Sequence, residues 1–155
     1  MKSLLDSINT SEETHYWFLR KTVMPHHTDH AGVMWHGTYL AWLEEARIEA
    51  LSKVGLNYSD FSRNGYEMPV ISLEINYHKA LHHGERVLLK SWTMLGEGVR
   101  WPWRSQFFSE NGSLAADANI CLVLTMKIEG VHKIIRKVPD KISNGFDKLK
   151  IGLGD

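Results

Sequence analysis

His26–Gly55 reads HHTDHAGVMWHGTYLAWLEEARIEALSKVG, a histidine-rich loop leading into residues 37–54, which hold no glycine or proline after the first. Such a run, stopped by Gly55, predicts a helix of about five turns. At 100° per residue, Tyr39, Leu43, Ala46, Ala50 and Val54 fall on one stripe, and Trp42, Leu40 and Leu51 widen it well beyond a narrow seam. A helix apolar over that much of its surface is expected to be wrapped by other elements, not docked on one side.

The flanking sequence supplies the wrapping. Residues 1–14 are polar and mixed, and read as a loose leader or short turn. HYWFLRKTVM, residues 15–24, is β-branched and aromatic, ends at Pro25, and reads as a strand. After the turn-rich NYSDFSRNGYEM come four strand-like segments, about 69–82, 86–96, 99–110 and 113–128. Ile71, Leu73, Ile75 and Tyr77 alternate with polar residues, as do Leu114, Ala116, Ala118, Ile120, Leu122, Leu124 and Met126, so each segment predicts one buried face. His83-Gly84, Gly96-Glu97-Gly98 and Asn111-Gly112 punctuate the strands, and Asn-Gly between two alternating runs marks a tight hairpin. Pro102, which cannot donate to a ladder, predicts an edge position or a bulge. The result is an α+β unit: a mostly antiparallel five-stranded sheet curled around one long central helix. One domain is expected, with its core at about 15–140 and a tail at 141–155 that caps an edge at most.

Lys plus Arg equals Asp plus Glu at 18 each, which gives no electrostatic ground for a nucleic-acid or anionic-membrane partner. Cys121 is the only cysteine, so an internal disulfide is excluded. With no charged-then-apolar leader and no apolar run near the roughly 20 residues that cross a bilayer, a soluble cytoplasmic protein is expected.

Asp29 is the first candidate for chemistry. It precedes the helix by a few residues, among His26, His27, His30 and His36 and beside the small Ala31 and Gly32. Unpaired amides at a helix start carry partial positive charge, so the region of His36, Gly37 and Thr38 can hold an oxyanion next to that carboxylate. An Asx turn or a helix cap accounts for an aspartate here equally well. A His27 or His30 pairing could tune Asp29, although exposed loop histidines fit better. The histidines near Asp29 lie in a loop, and His78, His82 and His83 on another strand and its turn, so neither group is a helical zinc pair and no metal site is expected. Glu44 and Arg47, three apart, predict a structural salt bridge, with Glu44 and Glu45 as lesser carboxylate candidates. Trp35, Trp42, Trp92, Trp101 and Trp103 could wall a flat aromatic pocket, but core or interface is the stronger reading for most.

The stretch HHTDHAGVMWHGTYLAWLEEAR resembles the signature of the 4-hydroxybenzoyl-CoA thioesterase family through Asp29, Ala31, Gly32, Val33, Tyr39, Glu44 and Arg47 in strand, loop and helix context. PVISLEINYHKALHHGE, from Pro69, is similar to that family's second strand and following turn, and the resemblance spans about residues 15–140. It implies a hotdog fold, a homodimer or homotetramer with sites between subunits, and hydrolysis of a coenzyme A thioester with no metal or organic cofactor. Asp29 matches the catalytic carboxylate and the His36 backbone N–H the donor that polarises the carbonyl, with Gly32, Val33 and Tyr39 binding substrate. Arg100 and Arg104, then Lys90, Lys133 and Arg136, are candidates for the phosphates of coenzyme A, although any one could equally belong to a solvated face. The implied substrates lean to aryl esters such as 4-hydroxybenzoyl-CoA or 1,4-dihydroxy-2-naphthoyl-CoA. A short-chain aliphatic acyl-CoA thioesterase and a non-catalytic acyl-binding hotdog protein are the alternatives.

Overall fold

The computed structural model describes residues 14–94 and 96–154, so the leader expected at the N-terminus lies almost wholly outside the described residues. Five strands form one antiparallel sheet in the order β1-β4-β5-β6-β3: β1 Trp17–Thr22, β3 Val70–Tyr77, β4 Arg86–Thr93, β5 Arg100–Phe108 and β6 Leu114–Val123. Its concave face holds α1, His36–Lys53. Tyr39, Trp42, Leu43, Ala46 and Ala50 of α1 are buried together with Leu89, Phe107, Ala116, Ala118 and Ile120 of the strands. At about 1.5–3 kcal/mol for each large side chain taken from water, this contact supplies most of the stability of the unit. The hotdog arrangement expected from the sequence is the arrangement found.

Small residues line the sheet where the helix supplies the bulk. Ser91 and Ser105 face each other in the register, both buried, and their hydroxyls satisfy one another at 2.7 Å. Three segments differ from the sequence expectation. The stretch after Gly55 contains a short helix, α2 Tyr58–Arg63, and a short strand, β2 Tyr66–Glu67; β2 joins β7 Thr125–Ile128 and β8 Val131–Ile134 in a second, three-stranded sheet. The tail is α3, Asp140–Ile151, which buries Ile142, Phe146 and Leu149 in the main core. Gly145 lets it approach, since a Cβ there would stand 2.6 Å from the Leu56 side chain. The Trp17 indole N–H donates to the Leu149 carbonyl at 2.9 Å and so satisfies one of the end carbonyls of α3.

Pro102 sits in a central strand, not at an edge. It is tolerated because β4 ends at the Thr93↔Trp103 pair, one residue before it, so that side of the ladder is already open. The true edges are β1 and β3. Leu40 of α1 and Val70, Ile71, Leu73 and Tyr77 of β3 are 41–54% exposed, so of the alternating apolar residues of β3 only Ile75 packs on the core among the described residues. Among the described residues no helix is long and apolar enough to cross a membrane.

Candidate active site

Between β1 and α1 the chain makes a 3-10 turn at Pro25–His27 and a narrow hairpin whose tip carries Asp29. The hairpin closes through the Thr28↔Met34 bridge, the Asp29 N–H donating to the Val33 carbonyl at 2.9 Å and the Gly32 N–H donating to the Asp29 carbonyl at 3.0 Å. Gly32 turns the corner at φ +78°, with nothing within 4 Å of where a Cβ would stand. The turn itself thus requires its conformational freedom. The turn before β4 clasps this hairpin: Met34 N–H donates to the Leu81 carbonyl, His83 N–H to the Gly32 carbonyl, and Val33 bridges to His82.

Asp29 combines both readings available from the sequence. Its Oδ1 accepts from the Ala31 N–H at 2.8 Å and, at 3.4 Å, from the Val33 N–H, which is an Asx turn. Its Oδ2 has no partner among the described residues, and the side chain is exposed. The carboxyl is thus fixed by one oxygen and presents the other.

The hairpin ends where α1 begins. Trp35 N–H donates to the His27 carbonyl at 3.1 Å, and the Thr38 hydroxyl donates to the same carbonyl at 3.0 Å, so the loop and the first turn are tied to one atom. Trp35 holds the N-cap position with no side-chain cap, and the first turn contains no acidic residue. Thr38 N–H is spent on the Trp35 carbonyl, whereas the His36 and Gly37 amides have no protein acceptor among the described residues. Two uncapped amides at the positive end of a helix can hold an anionic oxygen.

The other sequence candidates separate. Val33 lies in the hairpin, but Tyr39 is 3% exposed between Tyr77 and Phe107, its hydroxyl pushed up to about 12 chiefly by burial. It anchors the first turn of α1 in the core. Arg104 lies beside Trp92 and Asn119, on the face of the sheet away from α1. Arg100 is exposed at the end of β5 remote from Phe107, which packs under the start of α1, a run of seven residues or about 23 Å. Neither arginine reaches Asp29 within one chain.

His27 does not pair with Asp29. Its Nδ1 accepts the Met24 N–H at 3.0 Å, and burial, aided by the charges of His26 and Lys21, holds the ring below the ordinary histidine pKa. Among the described residues no three His, Cys, Asp or Glu side chains are grouped to hold a metal. The expected Glu44–Arg47 ion pair is absent there too. Arg47 and Glu44 instead line one cavity of about 290 Å³ with Ile48, Leu51, Phe61 and Met68, and burial lowers the Arg47 pKa against the opposing charge of Glu44. One pair escaped the sequence reading: His78 Nε2 meets Asp117 Oδ2 at 2.5 Å, and with Asn76 it holds that carboxyl below the usual range. Only the β3–β6 register, in which Asn76 faces Asp117, brings them together.

A five-stranded sheet curled on one long helix is the hotdog fold. The chain belongs to the Thioesterase superfamily, whose family model matches residues 31–116. It is 37% identical over 139 residues to a Synechocystis protein provisionally named an esterase, covering 88% of this chain and 82% of that one. It is 31% identical over 98 residues to a Bacillus subtilis protein provisionally named an acyl-CoA thioesterase, covering 61% of this chain and 71% of that one. A solved DHNA-CoA thioesterase from Staphylococcus aureus superposes with a TM-score of 0.76 at 27% identity, over 86% of this chain and 89% of the other.

Proposed function

We propose that the chain hydrolyses acyl thioesters of coenzyme A in the cytoplasm, with Asp29 as the reacting carboxylate and the His36 N–H as the oxyanion donor. The observation that carries the reading is a carboxyl with one free oxygen at the tip of a hairpin that is tied, through the His27 carbonyl, to a helix start with free amides. A thioester carbonyl is electrophilic and its thiolate leaves readily, so a positioned carboxylate and an amide donor suffice for the chemistry. On one route Asp29 Oδ2 takes a proton from water as the water oxygen bonds to the carbonyl carbon. The oxyanion that forms accepts from the His36 N–H, and its collapse breaks the C–S bond and releases the acid and the coenzyme A thiolate. On the other route Oδ2 itself bonds to the carbonyl carbon, the thiolate leaves, and water cleaves the resulting anhydride. Single turnover in oxygen-18 water separates them, because only the second places label in Asp29.

The reacting unit is a homodimer, or a homotetramer built from it. An exposed eight-residue edge with an uncovered apolar face invites pairing, whereas β1 is guarded by Arg20 and by Lys21, which is tied to Glu45. Antiparallel β3–β3 pairing about a two-fold axis sets Val70 and the Arg47 cavity of one subunit near Tyr77 of the other, hence near its Tyr39 and the start of its α1. Gly32 and Val33 then line the site beside Asp29, and Arg100 and Arg104 are offered to the phosphates from the neighbouring chain. Free-thiol release across a panel of aryl and aliphatic CoA esters tests the function. Turnover of part of the panel is the expected result; tight binding of every ester without release is the mark of a non-catalytic acyl-binding protein.

A further inference from the structure

Trp35 combines high exposure with a defined seat. Its ring lies against the first turn of α1 so closely that a Cβ on Gly37 would stand 2.3–2.6 Å from three of its six-membered-ring carbons. Glycine weakens a helix, and the space it leaves here is filled by this indole. The ring crosses that of His36 edge to face with centroids 5.1 Å apart, yet the residue remains 45% exposed. A large aromatic surface is thus held in one orientation, open to solvent, at the residue that immediately precedes the oxyanion donor. Most of the other tryptophans are accounted for by packing. Trp17, Trp42 and Trp103 are buried, Trp101 packs on Phe146, and Trp92 packs on Tyr16.

We infer that Trp35 is a specificity-determining residue, the wall on which the acyl group of the bound thioester packs, and that it selects planar aryl groups over saturated ones of equal size. The inference rests on the proposed placement of the thioester carbonyl at the His36 N–H. With the carbonyl oxygen there, the acyl group starts one bond from the carbonyl carbon, so a ring fixed on the adjacent first turn flanks it. An exposed indole face gains most from a flat, polarisable partner in offset contact, and a puckered ring of the same carbon count cannot approach as evenly.

The test uses benzoyl-CoA and cyclohexanecarbonyl-CoA, which differ chiefly in flatness, and reads the ratio of their kcat/KM values. Trp35→Ala is expected to lower the benzoyl preference roughly 3- to 10-fold, mainly through a raised KM for the benzoyl ester, and Trp35→Phe to keep more of it. Gly37→Ala puts a Cβ in the seat of the ring and should shift the ratio in the same direction with Trp35 intact. A ratio unchanged in Trp35→Ala overturns the inference, and so does a fall in solution mass on that substitution, which would make the ring a subunit contact. A wild-type protein inert to both esters would instead sink the proposed function, and this inference with it.

Discussion

Asp29 uses one carboxyl oxygen to build its own turn and leaves the other free, so its two substitutions should differ. Asn keeps an oxygen for the Ala31 N–H and should leave stability within about 0.5 kcal/mol. Ala removes that acceptor as well, and should lower stability by a further ~0.5–1.5 kcal/mol in urea unfolding. His27 makes a separate, pH-dependent contribution. Because its pKa is depressed in the folded protein, the unfolded chain binds the proton first on acidification. Stability should be full above the ordinary value of 6.5 and decline as pH falls from there towards the depressed value. His27→Gln should flatten that window while leaving the decline at lower pH, where Asp117 loses its charge; an unchanged curve would contradict the assignment. At this scale the sequence could single out Asp29 and His36 as candidates, because loop position and helix start are local facts. It left the surroundings of Tyr39, Arg100 and Arg104 open and expected a Glu44–Arg47 ion pair that the described residues do not form, since these are set by register and packing that spacing does not encode.

The central helix was legible for the same reason: Tyr39, Leu43, Ala46, Ala50 and Val54 all lie on the buried side. Leu40, expected to widen that stripe, is instead exposed. α3 was missed although Ile142, Phe146 and Leu149 recur at helical spacing, because three lysines and two glycines in 141–152 make the segment look like a polar tail. Its weight in the fold is open to test: Phe146 is 1% exposed and its ring centroid lies 3.8 Å from that of Trp101. Phe146→Ala should cost about 3–5 kcal/mol. A loss under about 1 kcal/mol by urea denaturation would mean that α3 is only loosely attached.

In the whole molecule, strand order was the part hidden from the sequence. Alternation showed that β3 has an apolar face, but not that the strand lies at an edge where Val70, Ile71, Leu73 and Tyr77 stay exposed among the described residues. That edge makes assembly a separate prediction. Leu73→Asp changes a residue 41% exposed in the single chain, so the fold should tolerate it, whereas a paired β3 edge should not. Light scattering should find a dimer or larger for the wild type and a monomer for the variant, with turnover lost in step; an active wild-type monomer would contradict a shared site. The account stands most directly on release of free coenzyme A thiol by the wild type and by Asp29→Asn, compared at equal concentration and equal oligomeric mass. The prediction is a fall in kcat/KM of roughly two to four decades, as expected on loss of a positioned carboxylate. Turnover by Asp29→Asn close to that of the wild type would contradict it.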